Sequence, residues 1–244
     1  MLSVEKKDLN GQFAMLPMDD VHFGAGSIKK LETALDQYGL NRPIVITGKS
    51  LVKNDSLMSC VHDATGGRCV GVFSETSQHV PRESVLEATE FARSRDADSI
   101  ISFGGGTPND TAKAVTICIA EQMENTDQLD SMRIKYEYPD KLEIPSLSRN
   151  PLPMFAIPTT LSAGEFTFFV GVTDRNRKVK DLYLDKRITA KTVFLDPELT
   201  LNTPERLWLG TGIRAIDHCI EAMCSTTSQP FTDALAYRAL NMLV

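Results

Sequence analysis

Short apolar runs and helical patterns alternate over most of this chain. Continuous apolar runs between turn residues indicate buried parallel strands, and apolar residues at helical spacing indicate amphipathic helices. The predicted strands are residues 21–27, which lead into a turn, and residues 43–47, 68–73, 99–103 and 155–158. The predicted helices lie between them at residues 28–38, 50–63, 82–95 and 110–122, with Ser27 capping the first.

This alternation predicts an α/β fold built on a parallel sheet. In such sheets, ligands bind at the carboxyl ends of the strands. Polar turns at residues 48–50, 104–107 and 158–160 each follow a predicted strand. We therefore expect these three turns to line one crevice.

The alternation stops after Gln122. Residues 124–151 are polar and contain several prolines, so they are predicted to form a long excursion. Residues 166–173 and 177–184 predict a hairpin, and residues 192–195 predict one more strand. From Pro204 onwards the patterns are only helical.

The turn after the strand at 99–103 carries the most informative chemistry. Gly104, Gly105 and Gly106 end an apolar run, and a helix-forming segment follows at once. Glycines let an anion approach the backbone, and free N–H groups at a helix N-terminus attract it. Thr107 and Asp110 suit a capped, polar N-terminus. The pattern predicts phosphate or pyrophosphate binding; without a dinucleotide fingerprint or P-loop, a merely flexible turn stays the alternative.

We therefore divide the chain into two predicted parts. Residues 1–203 form an α/β nucleotide-binding domain, and residues 204–244 begin an all-helical domain with helices at 204–224 and 231–244. Two helices bury little apolar surface, and the last helical pattern reaches Val244 without a stop signal. We expect either a fragment of a longer protein or helices that pack on another partner.

Composition and charge narrow the function classes. Hydrophobic residues make up 42% of the 244 residues, and the formal net charge is −6. The longest basic cluster, at residues 175–180, is short and predicts a solvated turn or else a small-anion site. We therefore expect no nucleic-acid partner.

The lack of a recognisable targeting signal and the pattern of cysteines predict a cytoplasmic protein. Residues 1–10 are charged and lack the apolar stretch of a secretory signal, and no window has the apolar length of a membrane span. Five cysteines without a Cys-x-x-Cys motif indicate reduced thiols.

Several motifs together resemble the iron-containing (group III) alcohol dehydrogenase family, which has a dehydroquinate synthase-like fold. The resemblance covers nearly the whole chain, through FGAG at 23–26, GGGTPNDTAK at 104–113, PTT at 158–160, GEFT at 164–167, DPELT at 196–200 and GIRAIDH at 212–218. The family combines a nucleotide-binding α/β domain with a helical C-terminal domain, and its active site lies between them. Part of the family's C-terminal sequence is absent here.

The resemblance implies a nicotinamide coenzyme, NAD(P)H. The residues it places around the pyrophosphate and its ribose are Gly105, Gly106, Thr107 and Asp110, in the turn that begins at Gly104. Thr159 and Thr160 are implied to line the adenine and phosphate side, with Thr167 and Lys178 nearby. The alternatives are a hydroxyl-rich turn for the two threonines and a solvated charge for Lys178.

Gly48 bears on the choice of coenzyme. Many family members carry Asp there, where a carboxylate accepts hydrogen bonds from the ribose hydroxyls and repels a 2′-phosphate. Gly48 removes that repulsion, and Lys49 and Ser50 can donate to a phosphate. We predict that NADPH is tolerated or preferred; an ordinary turn glycine is the alternative.

The family's metal site is altered. His218 occupies the position of a metal-binding His, but Arg214 stands where the family has the Asp ligand. A guanidinium has no lone pair and stays protonated, so it cannot bind a cation. Asp217 and Glu221 are interpreted as helix-surface charges, and we predict no bound metal.

One branch of the family, the maleylacetate reductases, works without metal and has a neutral amide at this Asp position. The loop after PTT has the length found in that branch. We therefore predict a metal-independent oxidoreductase that reduces a carbonyl or activated alkene of a small anionic substrate. Arg214 would orient or polarise the substrate and His218 would donate a proton, although Arg214 is equally compatible with a surface ion pair.

Two other functions stay open at this point. The chain can be a truncated, non-catalytic nucleotide-binding or partner protein, because a metal ligand and part of the helical domain are missing. It can also be a metal-dependent alcohol dehydrogenase that tolerates Arg214. A homo-oligomer is compatible with either.

Overall fold

The computed structural model describes residues 12–244. The charged start at residues 1–10 lies outside the described residues. The elements follow in the order β1 (Asp20–Phe23), α1 (Leu31–Gln37), β2 (Pro43–Ile46), α2 (Asp55–Ala64), β3 (Gly71–Phe73), α3 (Arg82–Arg93), β4 (Ser99–Gly104), α4 (Gly106–Ala120), β5 (Lys135–Glu137), β6 (Lys141–Glu143), β7 (Met154–Pro158), β8 (Phe169–Asp174), β9 (Val179–Leu184), β10 (Thr192–Leu195), α5 (Glu205–Cys224) and α6 (Pro230–Leu243).

Six strands form one parallel sheet in the order β1-β10-β7-β4-β2-β3. The predicted α/β fold with a parallel sheet is therefore confirmed. Strand β4 lies between β2 and β7, and its last residue, Gly104, is paired with Pro158. This order places the ends of β4, β7 and β2 side by side, as the three polar turns require.

Apolar residues on both faces of the sheet fix these strand ends in place. Ile44 and Ile46 of β2 pack with residues of α3 and α4 on one face. On the other face Val45 packs with α1 and α2, together with Ile101 and Phe103 of β4. Alternation of side chains along a strand produces this division. The buried sheet is the rigid support for the turns at its edge.

The first helix begins differently from the prediction. Residues Ser27–Lys30 form a 3-10 turn before α1, and Gly26, with φ 75°, occupies the capping position. The Ser27 cap is therefore wrong, since the side chain of Ser27 makes no capping bond. Instead the Asp196 carboxylate accepts a hydrogen bond from the Ile28 N–H at 3.2 Å.

Two helix starts at the sheet edge are also corrected. Helix α2 begins at Asp55, where Asn54 accepts from the Leu57 N–H at 3.1 Å, so residues 50–54 stay in the turn. Helix α4 begins at Gly106 rather than at residue 110. Asp110 consequently lies beyond the first turn. The glycine turn itself forms the helix N-terminus.

The rest of the chain surrounds this sheet. The polar excursion at 124–151 contains a 3-10 turn and the small hairpin β5–β6, and the predicted hairpin at 166–184 is confirmed as β8–β9. Helices α5 and α6 pack on each other, and in them only Cys219 and Ala236 are buried. None of the five cysteines forms a disulfide. Among the described residues, no helix combines the length and apolarity needed to cross a bilayer.

Candidate functional site

The turn after β4 is tightly packed around its first two glycines. Gly104 has φ +138°, and a Cβ there would lie 3.0 Å from the Pro108 side chain. A Cβ on Gly105 would lie 3.1 Å from Thr160. Gly105 is also the N-cap of α4, and no side chain caps this helix. The first N–H groups of α4 are therefore left for a ligand or solvent.

These amides face a cavity of about 530 Å³ at the carboxyl ends of the strands. The predicted site residues that line it are Gly48, Lys49, Ser50, Gly105, Gly106, Thr107, Thr159 and Thr160. The structure thus brings the three polar turns together around one cavity. A positive helix end and close backbone approach are what a pyrophosphate needs.

Sequence reasoning missed part of the cavity wall. The additional lining residues include Leu51, Asn54, Thr76, Gln78, Asn202, Thr203, Leu207 and Thr211. Thr76 and Gln78 follow β3, so the rule used for the other strand ends points to them as well. The α5 side carries no such signal. Two hydrogen bonds attach this side to the loop that follows β7. The Thr203 hydroxyl donates to the Thr159 carbonyl at 2.8 Å, and the Thr211 hydroxyl accepts from the Leu161 N–H at 3.2 Å.

Asp110 and Thr167 belong to a buried polar cluster next to the cavity rather than to its lining. The Lys113 ammonium is fully buried and donates to the Gly164 carbonyl at 2.6 Å and to the Thr167 carbonyl and hydroxyl at 2.7 and 2.6 Å. Burial lowers the pKa of Lys113 to about 8. Burial also raises the pKa of Asp110 and of Glu165. Lys113 therefore ties α4 to the loop that follows β7.

Lys178 is not brought to the cavity. It lies exposed in the turn between β8 and β9, with φ 56°. The basic cluster at 175–180 is this hairpin turn, and Asp174 accepts from the Arg177 side chain at 2.7 Å. Of the two interpretations of the cluster, the structure matches the solvated turn.

Lys49 has an acidic partner at the rim of the cavity. Its ammonium lies 2.6 Å from the Glu75 carboxylate, and both side chains are more than half exposed. Gly48 and Glu75 are paired as an antiparallel bridge. Thr76 donates to the Thr47 carbonyl at 2.8 Å. The segment after β3 therefore places a carboxylate beside the only charged side chain lining the cavity among the described residues.

An apolar pocket of about 380 Å³ adjoins the cavity and shares Thr160 with it. Phe166, Leu195, Trp208 and Ala215 line this pocket, with Glu165 and Asp196 as its acidic members. Trp208 and Ala215 belong to α5, so this helix contributes to both spaces.

The sequence of this chain is similar to those of known proteins of one family. The family described as iron-containing alcohol dehydrogenase matches residues 19–197. The chain belongs to that family. It is 30% identical over 224 residues to the NAD-dependent methanol dehydrogenase of Bacillus methanolicus and 31% identical over 228 residues to the NADPH-dependent butanol dehydrogenase of Clostridium saccharobutylicum. These matches cover 90% and 92% of this chain and 55% of each relative.

The crystal structure of maleylacetate reductase from Agrobacterium tumefaciens is also similar. It superimposes with a TM-score of 0.71 at 25% identity, over 92% of this chain and 54% of that one. The chain thus spans about half the length of the curated relatives that it matches. The resemblance to the iron-containing alcohol dehydrogenase family is confirmed.

The resemblance places Arg214 and His218 of α5 at the metal position of this family. Arg214 is exposed and forms an ion pair with Asp217, one turn along α5. His218 is exposed, and neither Arg214 nor His218 lines the cavity or the apolar pocket. His218 also belongs to no group of three metal-ligating side chains among residues 12–244.

The one acidic cluster in that part of the chain has a different role. Asp130, Asp174 and Asp181 lie close together, but Arg82 is buried among them, with its guanidinium 2.6, 3.2 and 2.8 Å from the three carboxylates. Arg177 joins the same cluster. Arg82 and Arg177 supply the cations, and the ion-pair network connects α3 to the β8–β9 hairpin.

Proposed function

We propose that this chain is the coenzyme-binding part of a nicotinamide-dependent oxidoreductase. The observation that carries the proposal is the uncapped N-terminus of α4, which opens through Gly105 and Gly106 into the cavity at the strand ends. The names of the two dehydrogenase relatives, one NAD-dependent and one NADPH-dependent, support a nicotinamide coenzyme.

The residues present fit such a coenzyme. The backbone amides of Gly106 and Thr107 would hold the pyrophosphate, because no side chain caps this helix end and the bare backbone at Gly105 packs against Thr160. Thr159 and Thr160 offer backbone and hydroxyl groups on the adjoining strand end. When bound, the coenzyme supplies the hydride, and the protein supplies its position.

We propose a maleylacetate reductase-like reaction without metal, in which a carbonyl or an activated alkene of a small anionic substrate is reduced. Arg214 would hold the substrate carboxylate or polarise its carbonyl, and His218 would donate the proton. The support is the position of both side chains on the same helix as Trp208 and Ala215, which line the apolar pocket. For this role, Arg214 would leave its ion pair with Asp217 and contact the substrate carboxylate instead.

We further propose that NADPH is accepted. Gly48 carries no carboxylate, and Lys49 and Ser50 line the same end of the cavity. Because position 48 carries no acid, one source of repulsion toward a 2′-phosphate is removed.

The test is a fluorescence titration of the purified chain with NADH and NADPH, followed by an assay of maleylacetate reduction with EDTA present. Saturable binding and EDTA-resistant turnover are expected. Activity that EDTA abolishes would contradict the metal-free mechanism. Binding without turnover would favour the non-catalytic nucleotide-binding alternative, which the exposed faces of α5 and α6 support. Failure to bind either coenzyme would overturn the proposal as a whole.

A further inference from the structure

The ion pair at the cavity rim has a direct bearing on coenzyme choice. In doubly wound sheets the pyrophosphate lies at one helix N-terminus, and the adenosine ribose lies at the end of a neighbouring strand. Here the free helix N-terminus follows β4, and β2 is its neighbour in the sheet. The residues at the end of β2 are Gly48 and Lys49.

The only positive charge among the described lining residues at this end is already neutralised. The Lys49 ammonium is 2.6 Å from Glu75, and Glu75 itself does not line the cavity. A ribose 2′-phosphate would attract Lys49 but be repelled by Glu75. The adenosine ribose of NADH has an uncharged 2′-hydroxyl at this position, so the ion pair affects NADH little.

We infer that Glu75 is a specificity-determining residue: it restrains Lys49 and adds a negative charge beside the ribose, and so limits the affinity for 2′-phosphorylated coenzymes. This inference rests on the proposed coenzyme site. It concerns Glu75, which lies on the segment after β3 and whose ion pair with Lys49 joins two strand ends.

The backbone allows the role to be tested without disturbing the turn. Gly48 and Glu75 pair through their main chains, and the Glu75 carbonyl accepts from the Ser84 hydroxyl at 3.1 Å. These bonds do not use the Glu75 carboxylate. Glu75→Gln therefore removes the charge and keeps the length of the side chain.

The experiment is calorimetric titration with adenosine 2′,5′-bisphosphate and with 5′-AMP, and then with NADPH and NADH. Glu75→Gln is expected to tighten binding of the 2′-phosphorylated ligands by about threefold to tenfold and to leave the other two within twofold. The gain should shrink at high salt, because both side chains are exposed. In a Lys49→Met background the gain should be reduced, since the released ammonium is then missing.

Glu87→Gln, an exposed substitution on α3 away from the cavity, is the control for net charge. An unchanged ratio of the two affinities in Glu75→Gln, with both ligands bound by the wild type, would overturn this inference alone. If the wild type binds none of the four ligands, the proposed coenzyme site itself fails.

Discussion

The two walls of the cavity differ in how firmly the chain holds them. The sheet wall consists of turns that follow buried strands, and the Gly105 backbone packs against Thr160. The α5 wall comes from a helix in which only Cys219 is buried, and its apolar residues Leu207 and Ile213 are largely exposed. Binding energy for the coenzyme should therefore come mainly from the sheet wall.

The same contrast applies to the charged groups. On the sheet side, Lys113 is buried and hydrogen-bonded to three backbone carbonyls. On the helix side, Arg214 is exposed, and its one ion pair within residues 12–244 is with Asp217. Since exposed ion pairs contribute little to stability, the helix side can change its chemistry at small cost to the fold. Substitutions at the exposed position 214 should therefore change the stability of the fold little.

Filling the turn after β4 should have the largest effect. Gly105→Val should weaken NADH binding roughly a hundredfold, because the side chain meets Thr160 and covers the helix N-terminus. Titration of the variant with NADH measures the loss. Gly210→Ala is the matched control, since a Cβ there has open space on α5. Equal affinity of Gly105→Val and wild type would remove the sheet wall from the proposed site.

Removing the buried ammonium should have the next largest effect. Lys113→Met leaves the Gly164 and Thr167 acceptors without their donor and should lower the free energy of unfolding by about 3 kcal/mol. Lys141→Met, on an exposed strand, is the control. Urea unfolding at pH 7 measures the difference.

The same variant has a characteristic pH dependence. The pKa of Lys113 falls from 10.5 to about 8 on folding, so the unfolded chain binds more protons between these values. The contribution of Lys113 to stability should therefore rise as the pH increases from about 8 to 10.5. Lys113→Met should lack this rise. Parallel profiles for the two proteins over this window would contradict the assignment of a depressed pKa.

Placing an acidic side chain at the end of β2 should change coenzyme affinity moderately, and differently for NADPH and NADH. Gly48→Asp should weaken NADPH binding about tenfold and leave NADH binding unchanged or tighter. A Cβ at position 48 lies 3.9 Å from the Thr76 hydroxyl, so the side chain has room. Gly48→Ala separates size from charge and should change neither affinity by more than about twofold. Equal losses for both coenzymes in Gly48→Asp would place the ribose elsewhere.

The smallest effect on binding should come from the helix wall. Arg214→Gln should change the unfolding free energy by less than about 0.5 kcal/mol and NADH affinity by less than about twofold, since the Arg214–Asp217 pair is exposed. Its expected effect is confined to turnover of the anionic substrate. A large loss of stability or of coenzyme affinity would show that α5 is as tightly coupled to the site as the sheet.

The sequence predicted the sheet side of this contrast better than the helix side. Apolar runs such as residues 99–103 mark buried strands directly, and turns after strands can be located from glycine and hydroxyl residues. Helix starts were harder to predict. Helix α2 begins at Asp55, with Asn54 as its cap, rather than at Ser50, because capping depends on which side chain reaches a free N–H. The Ser27 cap failed for the same reason, since the distant Asp196 carboxylate took that role.

Tertiary pairing accounts for what could not be predicted. The Lys49–Glu75 ion pair, and the contact of Thr203 with the Thr159 carbonyl, each join segments far apart in sequence. Lys178 was placed near the coenzyme by resemblance, yet it lies on the exposed β8–β9 turn. The predicted roles of Arg214 and His218 stay predictions.

Trp208 is the only tryptophan of the chain, and it lies on α5 in the apolar pocket that shares Thr160 with the cavity. Indole emission overlaps the absorption of a reduced nicotinamide ring. Energy transfer from this one donor can therefore report the distance between α5 and the ring without any added label. Trp208 thus serves as an intrinsic fluorescent probe of the separation between the two walls.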